Sequence, residues 1–171
     1  MASIRPRKFI ASLLACTACA ALAQGFTQDP DWKEAEAPLP TTLNTAKLIK
    51  LEMPRSTLNY GVDPASVRLD ADGIVRYVVV ATSSSGAVNA FQEGIRCNTG
   101  EFRTYARYNP GSGWVRMPGL TWRSMHDGAL PSKHTLLIAR NGACVAGGTN
   151  TSAERIVRDL SGDANWRFTN N

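Results

Sequence analysis

The chain has 171 residues, with 19 Lys and Arg against 14 Asp and Glu, a formal charge of +5, and 8% aromatic residues. Three of the basic residues, Arg5, Arg7 and Lys8, precede the apolar run Phe9 to Ala23, so the chain beyond residue 23 keeps 16 basic and 14 acidic side chains. That near balance, with no run of Lys or Arg, argues against nucleic acid as a partner. No later apolar run approaches the roughly 20 residues that a membrane span needs.

A basic start, an apolar core of roughly 7–15 residues and a small-x-small exit form the pattern of a cleaved secretory signal. Here the exit is Ala21-Leu22-Ala23, so cleavage before Gln24 and release into the periplasm are expected. The alternative takes Leu13-Leu14-Ala15-Cys16 as a degenerate lipobox, with Cys16 acylated and the product lipid-anchored. The residues after Cys16 stay apolar, which favours cleavage at Gln24. The expected organisation is a signal over 1–23, an extended arm over 24–45 and one globular domain over 46–171.

Two cysteines remain, Cys97 and Cys144, and an isolated pair in an oxidising compartment forms a disulfide. The competing reading is a zinc site of Cys97, Cys144, His126 and His134. Neither pair has the short ligand spacing of zinc modules, so no metal and no cofactor are expected.

In chain order, Gln24 to Thr45 carries Pro30, Pro38 and Pro40 and few β-branched residues, and reads as an extended arm. Trp32 within it is expected to dock on the domain. Leu48 to Met53 alternates polar and apolar residues as a first strand. Val67 to Asp70 and Ile74 to Thr82 flank Asp72-Gly73, the strongest hairpin signal in the chain. Both faces of the second arm are largely apolar, which predicts a central strand covered on both sides. Arg76 interrupts one of these faces and is expected to find a carboxylate or to leave the core at the strand's start.

Ser83 to Ala87 reads as a turn. Asn89 to Asn98 and Glu101 to Tyr108 form a second hairpin about Thr99-Gly100, with Glu101, Arg103, Tyr105 and Arg107 on a face expected to meet solvent. Trp114 to Met117 is a short edge strand. Between Lys133 and Arg140 the pattern fits a strand or a helix, and Ser132 before it with Asn141-Gly142 after it favours the helix. Thr151-Ser152-Ala153-Glu154 has the form of a capping box ahead of a helix over Arg155 to Leu160. Trp166 to Asn171 is a tail. About six strands and one or two short helices give an antiparallel α+β domain, with all-β as the alternative.

The stretches DGIVRYVVV (Asp72 to Val80), SSSGA (Ser83 to Ala87) and EGIRC (Glu93 to Cys97), with Tyr105, Trp114, Trp122 and Cys144, resemble the CNP-one-like family of secreted bacterial proteins. The resemblance spans Trp32 to Cys144. It implies a bacterial, exported, single-domain protein and brings no established activity. In such a protein the triplet Asn150-Thr151-Ser152 carries no glycan.

The candidate functional surface is Glu93, Arg96, Glu101 and Arg103 beside Tyr105, with Trp114 and Trp122. Two carboxylates and two guanidinia on facing arms of a hairpin can form an acid–base pair with an anion clamp. They can equally pair across the strands. The three rings can line a groove for a peptide or glycan, or pack in the core. Glu93 is the stronger carboxylate candidate, because a bulge near Gly94 would re-aim its side chain. A hydrolase would have to rest on Glu93, or on His126 with Ser124 or Asp127. His134 beside Lys133 reads as a solvated helix start. The leading expectation is therefore a non-enzymatic module that binds an unidentified envelope component or protein, with a hydrolase as the alternative.

Overall fold

The computed structural model describes residues 31–119 and 121–162. The signal segment with Cys16 and the Gln24 cleavage point, Leu120, and the tail Trp166 to Asn171 lie outside the described residues.

Eight strands make one antiparallel sheet. They are β1 (Ile49–Leu51), β2 (Asn59–Val62), β3 (Arg68–Leu69), β4 (Val75–Thr82), β5 (Val88–Arg96), β6 (Glu101–Asn109), β7 (Gly113–Arg116) and β8 (Arg123–Ser124). The order is β1-β2-β4-β5-β6-β7, with β3 beside β4 and β8 beside β6. Two short helices, α1 (His134–Ile138) and α2 (Ala153–Ser161), follow, with a two-stranded ribbon of β9 (Cys144–Val145) and β10 (Gly148–Thr149) between them. The α+β class stands; the estimate of six strands is too low.

Strand β2 was hidden from sequence reading by its middle residue. A Cβ at Gly61 would stand 2.7 Å from the Leu48 Cβ, so close approach to the chain entering β1 requires a residue with no side chain to show a period.

β4 is the centre of the domain, and Val75 to Ala81 are all buried. One face of it, Val75, Tyr77 and Val79, packs with Ile95, Phe102, Ile138 and Ile156 under the helices. The other face, Val78 and Val80, packs with Ala90 against Leu43, Leu48 and Trp114. Arg76 on that second face is 1% exposed and finds two carboxylates, Asp70 and Asp72, each at 2.7 Å.

The segment from Trp32 to Asn44 lies across this second face as a strap. Its main-chain oxygens at Ala35, Pro38 and Thr42 accept from Arg76, Gln92 and Trp114 respectively. The Trp32 indole N–H donates to the Asp72 carbonyl at 2.9 Å. The strap therefore covers the face that the sequence pattern assigned to solvent: Tyr105 is 8% exposed, and Arg103 bonds Glu34 at 2.8 Å.

Cys97 and Cys144 form the expected disulfide, with Cα atoms 5.6 Å apart. This uses both thiols and removes the four-residue zinc reading. Cys144 is delivered by a widened turn, Ala139–Ala143, that continues α1 after only five residues. The helix expected over 133–140 is thus real but short. In α2 the cap is Ser152, whose side chain accepts from the Arg155 N–H, one residue later than the capping-box pattern suggested.

Candidate functional site

Glu93 is set by a fault in the β5–β6 ladder. Gln92 faces Ala106 while Glu93 faces Thr104, so Tyr105 is the extra residue of a bulge. A bulge of this kind re-aims the side chains beside it. Glu93 points to the helical face and is 3% exposed. Its Oε2 accepts from the Tyr77 hydroxyl at 3.1 Å and lies 2.9 Å from Nε2 of His134. Thr104 Oγ1 stands 3.4 Å from the other carboxylate oxygen.

His134 opens α1, and its ring stacks on Tyr60 with centroids 5.2 Å apart. Its Nδ1 lies 2.8 Å from the Ser132 hydroxyl. The side chain is 13% exposed, which corrects the expectation of a solvated helix start. The reason is the carboxylate below it: strand β5 supplies a buried partner that no local pattern around Lys133 reveals. Burial disfavours charge on the imidazole, but Glu93 outweighs it, and the His134 pKa is raised. Burial first, and Glu93 second, push the Tyr77 phenol far above its ordinary range, so Tyr77 remains a hydrogen-bond donor.

Carboxylate, imidazole and hydroxyl in series have the order of a nucleophilic relay. Ser132 Oγ, however, also accepts the main-chain N–H of His134 at 3.2 Å, so this hydroxyl already holds the start of α1. The series fixes the helix to the sheet and orients Ser132 on the protein surface. Among the two histidines, it is His134 and not His126 that the fold brings to Glu93; His126 is exposed, with its main-chain N–H on Ser124 Oγ. Asp127 meets Arg123 at 3.4 Å rather than an imidazole.

The remaining members of the predicted constellation lie on the opposite face of the sheet. Arg96 bonds Glu101 at 2.5 Å and Thr99 at 3.0 Å, and its guanidinium sits between the rings of Trp32 and Trp122, 4.7 and 4.9 Å from their centroids. Burial opposes ionisation of Glu101, but the bonds from Thr99 and Arg96 prevail and lower its pKa. The Trp122 N–H donates to Glu34 at 3.2 Å, and Arg76 and Arg103 lie over the Tyr105 ring at 5.4 and 5.5 Å. Trp114 meets Tyr108 edge-on at 5.6 Å. Each of these side chains has a partner within the molecule, and the partner is mainly the strap. The predicted charged and aromatic surface is the seam that holds the strap down.

Open space is found instead beside Ser132. A groove of about 560 Å³ runs between the 53–60 segment and the first turns of α1. Met53, Leu58, Tyr60, Leu130, Leu136 and Leu137 give it an apolar surface, with Ser56, Thr57 and Ser132 beside them. Its charged lining residues are Arg55, Lys133 and Arg140, with no acidic side chain among them. Lys133 Nζ donates to the Asp127 carbonyl, and the Asp127 carboxylate also feels its charge. Arg55 stands in a left-handed backbone conformation, φ 61°. For a residue with a Cβ that conformation costs roughly 1–2 kcal/mol. The three cations are far apart in sequence, and only the return of α1 onto the β1–β2 connection collects them. Sequence reading had no periodic or motif signal for that assembly.

Among the described residues no cluster of three or more His, Cys, Asp or Glu side chains is placed to hold a metal ion, and no helix is long and apolar enough to cross a membrane. No curated protein and no solved structure matches this chain. A family model does match, over residues 27–161, which takes in the strap, the whole sheet, both cysteines and α2. The match extends past Cys144, where the resemblance read from sequence stopped, and on this evidence the chain belongs to the CNP1-like family.

Proposed function

We propose that the protein is an exported, periplasmic binding module that holds a small envelope component in the groove between the 53–60 segment and α1. The observation that carries the reading is the groove itself. Its volume of about 560 Å³ falls within the roughly 300–1,000 Å³ of small-molecule sites, and its lining joins apolar side chains to three cations and to the hydroxyls of Ser56, Thr57 and Ser132. The aromatic residues first considered for binding are engaged by Thr42, Glu34 and Arg96. Export is supported by the signal pattern of residues 1–23 and by a disulfide of the kind that persists in oxidising compartments.

Native mass spectrometry of protein recovered from the cell envelope tests this reading. A retained small-molecule adduct is expected, and it should be lost in Thr57→Trp, where an indole on an exposed groove residue fills the space without entering the core. No adduct on the wild-type protein, or an identical adduct on a folded Thr57→Trp variant, would refute the groove as the binding site.

A hydrolase resting on Glu93 has one observation in its favour, the series Glu93, His134, Ser132. The local bond from the His134 N–H to Ser132 Oγ gives that series a structural role without catalysis.

A further inference from the structure

The composition of the groove says what its occupant must be, and the argument rests on the binding reading above. Its apolar walls need an apolar body. On the 53–58 wall Ser56 is already engaged: its Oγ donates to the Leu58 carbonyl at 2.9 Å and accepts the Leu58 N–H at 3.0 Å, and its N–H bonds the Met53 carbonyl at 3.3 Å. An extended peptide lying there would leave its own backbone groups unsatisfied, which is costly where water is excluded. A hydrocarbon chain has no such groups. The charged lining is of one sign: Arg55, Lys133 and Arg140 with no carboxylate between them. Among the described residues neither Arg55 nor Arg140 has an ion-pair partner. Unpaired guanidinia beside an apolar floor are suited to an anionic head on an apolar chain.

We propose that the groove binds a single-chain amphiphile with a carboxylate head, its chain along Leu58, Leu130, Leu136 and Leu137 and its carboxylate among Arg55, Lys133 and Arg140. The occupant is a free fatty acid or a close chemical equivalent. The walls select for the chain, and the cations select against neutral and cationic heads.

The test is calorimetric titration of the full exported chain with decanoate below its micelle concentration, against decanol and decyltrimethylammonium. Saturable 1:1 binding of decanoate is expected, at least about tenfold tighter than decanol, with none by the cation. The double variant Arg55→Gly and Arg140→Gln, at two exposed positions outside the core, should not lower the thermal midpoint and should lose at least about tenfold in decanoate affinity while leaving decanol unchanged. Equal binding of decanoate and decanol overturns the proposal, as does a folded double variant with undiminished decanoate affinity. A peptide with a free C-terminal carboxylate that binds tighter than decanoate would make the partner a protein and also overturn it. So would labelling of Ser132 by a fluorophosphonate, which would make the site a hydrolase. An envelope adduct in native spectra without decanoate binding refutes the carboxylate amphiphile alone; loss of both refutes the groove.

Discussion

Two buried ionic contacts, one on each face of the sheet, give the protein opposite sensitivities to pH. On the helical face the His134 pKa is raised against the opposition of burial, chiefly by Glu93 at 2.9 Å. A group whose folded pKa lies above its unfolded value stabilises fully below the unfolded value, about 6.5 for histidine, and ceases to do so as pH rises through the folded value. On the strap face burial opposes the Asp72 charge, but Arg76 and the N–H groups of Ala35 and Ile74 prevail and lower the pKa. That contribution is present above the unfolded value of about 3.9 and disappears as pH falls through the folded one. Denaturant midpoints should therefore decline from about pH 6.5 upward in the wild type and lose that decline in His134→Gln and in Glu93→Gln. An unchanged decline in either variant would place its origin elsewhere. Asp72→Ala removes a 2% exposed partner from a 1% exposed guanidinium that retains Asp70. A loss of about 3 kcal/mol is expected, since the buried guanidinium keeps only one close carboxylate and the N–H groups of Ala35 and Ile74 lose their acceptor, and equilibrium unfolding at pH 7 measures it.

At the scale of elements, the parts that read correctly from sequence are those whose determinants are local. Asp72-Gly73 fixes the turn into β4, and a run rich in β-branched residues marks that strand as covered on both faces. The capping-box form of Thr151 to Glu154 announces α2, although the cap is Ser152, whose hydroxyl accepts the Arg155 N–H at 3.2 Å. Ser152→Ala should cost about 1 kcal/mol by thermal or chemical unfolding, within the usual range for a lost cap. What stayed hidden depends on contacts across long separations. β2 is obscured by Gly61, and α1 ends early because its widened turn must deliver Cys144 to Cys97, 47 residues away. The surroundings of the candidate site depend on such contacts too. The bulge beside Glu93 and the cross-strand pair Arg96–Glu101 follow from the hairpin pattern, but His134 meets Glu93 from 41 residues on, and Arg103 and Tyr105 read as solvent-facing because the strap that meets them shows no period of its own. The groove joins residues 53–60 to 130–140 and has no sequence signature at all.

At the scale of the molecule, a central sheet is held between a strap on one side and a helical layer on the other, and the disulfide ties only the second. Cys97 follows β5, the strand that carries Glu93, and Cys144 follows the turn that continues α1. In the chain-entropy account a crosslink over this separation stabilises by about 4 kcal/mol through the unfolded chain, which raises the opening free energy of every globally protected amide equally. The geometry predicts something further. His134 on Glu93 and the bridge tie the start and end of the helical segment to strand β5 and the residue after it, so losing the bridge leaves the end of that segment more dependent on packing. In Cys97→Ala/Cys144→Ala, hydrogen exchange should therefore rise most in α1 and the turn after it, while β4 and the strap, pinned by Arg76, Asp72 and Glu34, fall only with global stability. The same helical layer forms one wall of the groove, so decanoate affinity should weaken in parallel with that local opening. Uniform loss of protection across both layers, with groove binding unchanged once the folded fraction is accounted for, would show that the bridge acts on the unfolded chain alone and that the helical layer is held by its packing.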